Sequence, residues 1–350
     1  MLNALLSGDK PRSTILAVVL VAILIALALA PFLFPGVRSL ETAARICIFI
    51  VLVASYDLLL GYTGIVSFAH TMFFGLGAYG VALASSHMGR GYDALVVGTV
   101  LGALASAVLA LLIGLFSLRV RAIFFAMITL AVASAVAVLV SQMSQITGGE
   151  DGLNFQIPRE LTPALRLGNL FGVNLSGKIL NYYLVFGACL LLFLLMLRIV
   201  NSPFGRVLQA IRENDFRAEA IGYRVVWYRT TATCLSAAIA ALAGSLFAIW
   251  LRYVGPDTTL SFDIMIDVLL MVVIGGMGSM YGAVIGATIL VLAQNYLQSL
   301  MGAASEATAG LPLIPDLLNP DRWLLWLGVL FILSVYFFPA GIVGKLRAGR

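Results

Sequence analysis

Apolar residues in this chain run in long blocks that contain few charges. A hydrocarbon core about 30 Å thick needs roughly 20 apolar residues in a helix. Blocks of that kind fall at residues 14–34, 42–60, 64–86, 94–117, 122–142, 180–199, 230–251, 264–280, 283–300 and 323–338. The pattern predicts an all-α, polytopic transmembrane bundle of about 10 helices, with residues 1–350 forming a single membrane domain. The blocks flanking Gly61–Gly64 and Gly275–Gly282 are the least regular, because glycine clusters break or bend helices there.

Composition removes the soluble alternative. Of the 350 residues, 61% are hydrophobic and 11% charged, whereas a soluble domain carries about 25% charged residues. Mean hydropathy is +1.05. The net charge of +5 lies between the apolar blocks, so positive loops on one side of a membrane explain it and nucleic acid does not. Ten crossings put both termini on one side. That side then holds 13 of the 21 basic residues, among them Lys10, Arg119, Arg121, Arg198, Arg206, Arg212, Arg217, Arg224, Arg229 and Lys345, against five acids, a balance of +8. The other side holds 8 basic and 11 acidic residues, a balance of −3. The positive-inside rule makes the first side cytoplasmic. Arg38 and Arg45 fall on the opposite side and break the bias.

Lys10 and Arg12 ahead of an apolar run, with Ala28-Leu29-Ala30 after it, resemble a signal peptide. The run from Ile15 to Ala30 is long for one, and a retained helix is the preferred reading. Two polar segments interrupt the blocks: an outer loop at 144–179 and an inner segment at 198–229. The inner one carries six arginines and three acids and is too long for a simple turn. Pro203 suits a helix start and Gly205 a close approach. Ala210 to Ala220 reads as helix, broken at Gly222. Such an element either inserts into a cleft of a cytoplasmic partner or anchors the neighbouring spans.

Candidate chemistry is sparse. Gly172 to Ile179 nearly spells a phosphate-binding loop, but Ile179 stands where magnesium needs Ser or Thr. Cys47, Cys189 and Cys234 lie in apolar runs, and His70 and His87 form no ligand cluster. Paired carboxylates and nucleophile sets are missing, so an enzyme has little support and no cofactor or metal is expected. Two glycine-rich segments remain. One comprises Gly61, Gly64, Ser67, His70, Gly75 and Gly77; the other Gly275, Gly276, Gly278 and Gly282. Interrupted helices in two halves of a transporter mark a substrate path, and their exposed N–H groups attract carboxylates. Close helix packing through small residues is the competing use.

Taken together, LLLGYTGIVSFAHTMFFGLGAYG (58–80), RVRAIFFAMITLA (119–131), TGGEDGL (147–153), SPFGRVLQAIREND (202–215) with AEAIGY (218–223), VVIGGMGSMYGAVIGA (272–287) and FFPAGIVG (337–344) resemble, in order, the branched-chain amino acid ABC permeases of the LivM type. The resemblance runs from about residue 45 to 345. It implies an ABC-importer permease in the bacterial inner membrane, paired with a LivH-type permease. Two cytoplasmic ATPases of the LivG and LivF kind would spend the ATP, and a periplasmic binding protein would deliver substrate. ATPase coupling would fall on Pro203, Gly205, Arg206, Arg212, Glu213, Glu219, Ala220 and Gly222. The outer segment including Thr147–Leu153 is a candidate contact for the binding protein. The substrate class is less closely implied: leucine, isoleucine and valine fit, and related systems carry urea, short amides or other amino acids. An ion-coupled carrier is the rival mechanism, but of its acidic and histidine groups only His70 would lie in mid-span.

Overall fold

The computed structural model describes residues 13–33, 36–117, 122–170, 173–307 and 319–348. Lys10, Arg12, Arg119, Arg121 and Gly172, used in the sequence argument, lie outside these. The main elements are helices α1 (Thr14–Ala28), α2 (Val37–Thr63), α3 (His70–Met88), α4 (Tyr92–Ser117), α5 (Ala122–Gln142), α6 (Gly177–Asn201), α7 (Pro203–Glu213), α8 (Asp215–Ala220), α9 (Val225–Leu251), α10 (Pro256–Thr259), α11 (Phe262–Gly275), α12 (Met280–Ala307), α13 (Trp323–Phe337) and α14 (Gly341–Ala348). Among the described residues the strands are short: Leu153–Asn154 pairs antiparallel with Tyr253–Val254, and Arg166–Leu170 with Val173–Ser176.

Each of the ten apolar blocks contains a helix, and eight of these spans are long and apolar enough to cross a membrane. The two others depart for physical reasons. Helix α1 covers only 15 residues before a break at Leu29. Helix α3 is long enough but carries glycines, serines and two histidines. It is wedged between α4 and α9, so its surroundings are protein and lipid-grade hydropathy is not required of it.

The α3–α9 contact is backbone against backbone. A Cβ on Gly77 would lie 1.8 Å from the Ala241 carbonyl oxygen, and one on Gly244 would lie 1.8 Å from that of Phe74. Ser245 Oγ donates to the Gly77 carbonyl at 3.0 Å, fastening the same crossing. Close approach through small residues gains dispersion contacts where lipid offers no hydrophobic drive. Helix α2 forms the centre of the bundle, with 89% of its span buried, against 22% for α5 and 17% for the terminal span.

The segment after α6 differs from its sequence expectation. Ala210 to Ala220 is not one helix. Asn214 is extended at φ −161°, and its side chain accepts from Arg217 N–H at 2.9 Å, capping α8 and ending α7. An amide that can cap a new helix competes with the helix running through it. Ser202 caps α7 with Pro203 at its first turn, and Gly205 closes on the Val200 carbonyl, as the start signals predict.

Candidate functional site

The two glycine segments, more than 200 residues apart in sequence, meet at the α7–α8 end of the bundle. Helix α2 stops at Thr63 with Gly64 in the left-handed region, and α11 stops at Gly275, followed by Gly276 at φ +114° and Gly278 at φ +79°. Asp57, one helical turn before Gly61, sends Oδ1 across to accept the Gly278 N–H at 2.9 Å. A Cβ on Gly61 would sit 2.3 Å from the Gly278 nitrogen, so glycine alone permits this contact. Asp57 itself is 1% exposed.

Arg212 of α7 completes the joint. Its guanidinium donates to the Gly61 carbonyl, one of the last carbonyls of α2, which lack partners within the helix. The same side chain packs on Gly64, 3.3 Å from where a Cβ would stand, and its Nη1 lies 2.7 Å from the corresponding point on Gly278. A single side chain from the polar segment thus touches both helix breaks. Gly341, at the start of α14, closes the far side, with 2.2 Å between its would-be Cβ and Gly276 Cα.

Above the joint, residues 64–69 are not helical. They climb back into the bundle before α3 begins. His70 Nε2 lies 3.1 Å from Ser55 Oγ and 3.2 Å from Ser236 Oγ, at depths of about 12 Å along α2 and about 16 Å along α9 from their nearer ends. Non-helical backbone at such depth must be buried in protein or line a cavity. Here Phe68 N–H donates to Thr129 Oγ1 of α5 at 3.1 Å, and Ala69 N–H to Ser67 Oγ at 3.3 Å. His70 is fully buried, edge-on to Tyr56 at 5.0 Å.

A second interrupted span faces the first. Helix α10 enters from the opposite end, the chain breaks at Leu260–Ser261, and α11 restarts under a Ser261 cap on Asp263 N–H. Phe68 and Phe262, each beside the start of a half-helix, approach to 6.0 Å between ring centroids. Between them and α5 opens a cavity of about 460 Å³, lined among others by Thr71, Ser134, Gln142, Glu150 and Asp257. Glu150 belongs to the turn Thr147–Leu153, where Gly148, Gly149 and Gly152 all take positive φ.

The sequence-derived residues therefore separate into groups. Gly61, Gly64, Gly276, Gly278 and Arg212 share the joint. Gly275 and Gly282 pack on one another where α11 turns into α12. Ser67 and His70 lie in and just after the climbing segment, and Gly75 and Gly77 sit higher on α3 against Leu260 and Ala241. Pro203, Gly205 and Arg206 begin α7. Glu213, Glu219, Ala220 and Gly222 are exposed at the end of the bundle, beside Phe216 and Ile221 at 81% and 69% exposure. Sequence reasoning left out Asp57 and Thr129 as site residues. The signal for Asp57 was its spacing, one turn before Gly61 in an otherwise apolar block.

The sequence model of one protein family, described as "Branched-chain amino acid transport system / permease component", matches residues 38–335. The high-affinity branched-chain amino acid transport system permease protein LivM of Salmonella typhimurium is 30% identical over 320 residues, covering 86% of this chain and 73% of its own length. Its counterpart from Escherichia coli is 29% identical with the same coverage. A probable LivM of Methanocaldococcus jannaschii is 27% identical over 255 residues, 72% of this chain and 69% of its own. No solved structure matches.

Proposed function

Because this chain belongs to the family of branched-chain amino acid transport permease components, we propose that it is a permease subunit of an ATP-driven importer for leucine, isoleucine and valine. It pairs in the inner membrane with a second, LivH-type permease. Two ATPases of the LivG and LivF kind dock on α7 and α8, and a periplasmic binding protein delivers substrate at the other end. The α7–α8 end faces the cytoplasm and both termini lie there, in keeping with the charge bias of the loops.

The observation that carries this reading is the joint. Rotation of α7 by a docked ATPase pulls on Arg212, and Arg212 holds the carbonyl end of α2 against the α11–α12 turn. Movement there tilts the half-helices α3 and α11, whose N-terminal starts border the 460 Å³ cavity. A cavity of that size accommodates a small amino acid, and the positive ends of two half-helices favour its carboxylate. Phe216 and Ile221, apolar and exposed among charged neighbours, give the ATPases an anchor.

The test is uptake of radiolabelled L-leucine into proteoliposomes holding all components. Uptake requires ATP and both ATPases. Uptake that persists without them contradicts the reading. Glu219→Lys and Gly222→Pro weaken ATPase co-purification while leaving the chain inserted; undiminished co-purification of both would mean that the docking surface lies elsewhere.

A further inference from the structure

The opposite end of the bundle holds a second polar cavity, of about 540 Å³, bounded by Arg38, Glu41, Arg45, Lys178, Trp250, Arg252 and Asp257 among others. Two of these, Arg38 and Arg45, are the basic residues that defy the charge bias of the loops. Arg45 lies eight residues into α2, about 12 Å below its start. A guanidinium at that depth is costly unless paired and hydrogen-bonded. Among the described residues no carboxylate lies within ion-pair distance of it, its buried Nε makes no hydrogen bond, and the Phe49 ring at 5.6 Å is its cation–π contact. Asp267 is within electrostatic reach, but beside Gln294.

The other charges around the cavity are not equivalent. Lys178 and Glu41 are already joined at 3.0 Å and neutralise each other. Asp257 makes no ion pair among the described residues and sits in the first turn of α10. Arg252, which turns the chain into that segment, is the one non-glycine residue described with positive φ, at +60°. Trp250, Phe247 and Ile264 supply an apolar wall. The cavity therefore presents a cation without an ion pair, a solvent-facing carboxylate without one, and an apolar surface. These are the three complements of a free apolar α-amino acid. Asp257 also borders the 460 Å³ cavity beside Phe68 and Phe262, so the two spaces share a wall.

We propose that this outer cavity is an entry site that holds the amino acid as a zwitterion, its carboxylate on Arg45, its ammonium on Asp257 and its side chain against Trp250, before it passes the Asp257 wall. The proposal rests on the permease reading and adds the residues that first receive the substrate. A charge-assisted guanidinium–carboxylate contact at a partly buried site is worth about tenfold or more in affinity.

The test uses the purified complex of this chain with its partner permease and ATPases, without the binding protein, and scintillation binding of tritiated L-leucine. Arg45→Gln lowers leucine affinity about tenfold or more, and Arg45→Lys restores part of it. Asp257→Asn weakens leucine but not 4-methylpentanoate, which has no ammonium. Arg45→Gln weakens 4-methylpentanoate but not leucinamide, which has no carboxylate. Unchanged leucine binding in both variants, or equal losses for all three ligands, overturns the proposal. So does an anionic phospholipid that co-purifies with the wild type, is lost in Arg45→Gln and leaves leucine binding unchanged. ATP-driven leucine uptake by the wild-type importer is measured alongside. If it persists while the binding pattern fails, the entry site alone is wrong; if the wild type shows no such uptake, the permease reading falls and the entry site with it.

Discussion

The joint at the α7–α8 end and the cavity at the opposite end both set charged side chains against an apolar bundle, and they treat them in opposite ways. At the joint, Asp57 holds a backbone N–H and Arg212 holds a backbone carbonyl, with glycines pressed too closely for any side chain between them. At the outer cavity, Arg45 and Asp257 face open space without an ion-pair partner among the described residues. A closely packed contact pinned by hydrogen bonds has few arrangements and transmits displacement. An open one whose charges lack ion pairs has room and chemistry for a ligand. On the proposed reading, the difference separates the parts of this chain that move from the parts that bind.

The comparison breaks most sharply at Gly61. Gly61→Val forces a side chain into the Gly278 nitrogen and the Asp57 carboxylate, and the account expects a loss of about 3 kcal/mol or more of stability. Thermal unfolding in detergent reads it, and an unfolding temperature equal to wild type would mean that the two breaks do not touch. At Asp57 the effect is smaller and graded. Asp57→Ala strands the partly buried Gly278 N–H at a cost of about 2 kcal/mol, whereas Asp57→Asn keeps an acceptor and costs about half of that. Equal losses in the two variants would show that the hydrogen bond at 2.9 Å does not matter. The least effect belongs to the outer cavity. Asp257→Asn, at an exposed site without an ion pair, leaves the unfolding temperature within about 0.5 kcal/mol equivalent of wild type. A large loss there would erase the contrast.

Much of the architecture was legible because lipid sets a length and an apolarity that any spanning helix must meet. The ten blocks each contain a helix, and the start signals at Ser202, Pro203 and Gly205 mark α7. What hydropathy could not show was the half-helices. Residues 64–69 are as apolar as a helix interior, but they run outside any helix: Gly64 ends α2 in the left-handed region, and Thr129, on a different span, accepts the Phe68 N–H. The split at Asn214 was hidden because an Asn within a helical pattern does not announce whether it will cap. Within the site, glycine content pointed to Gly61 and Gly278, but their contact with Arg212, 151 residues from Gly61, depends on tertiary packing. Arg45 was visible as an exception to the charge bias, and the cavity it lines is the ground for the entry site proposed there.

Arg212 is the most direct test of the central claim, that one side chain carries motion from the ATPase surface to the helix breaks. The measurement is paired: ATP hydrolysis and L-leucine uptake by the complete importer in proteoliposomes, for wild type and Arg212→Gln. The account predicts that the variant assembles and hydrolyses ATP while uptake per ATP falls about tenfold or more, the equivalent of about 1.4 kcal/mol. Uptake per ATP equal to wild type would contradict it.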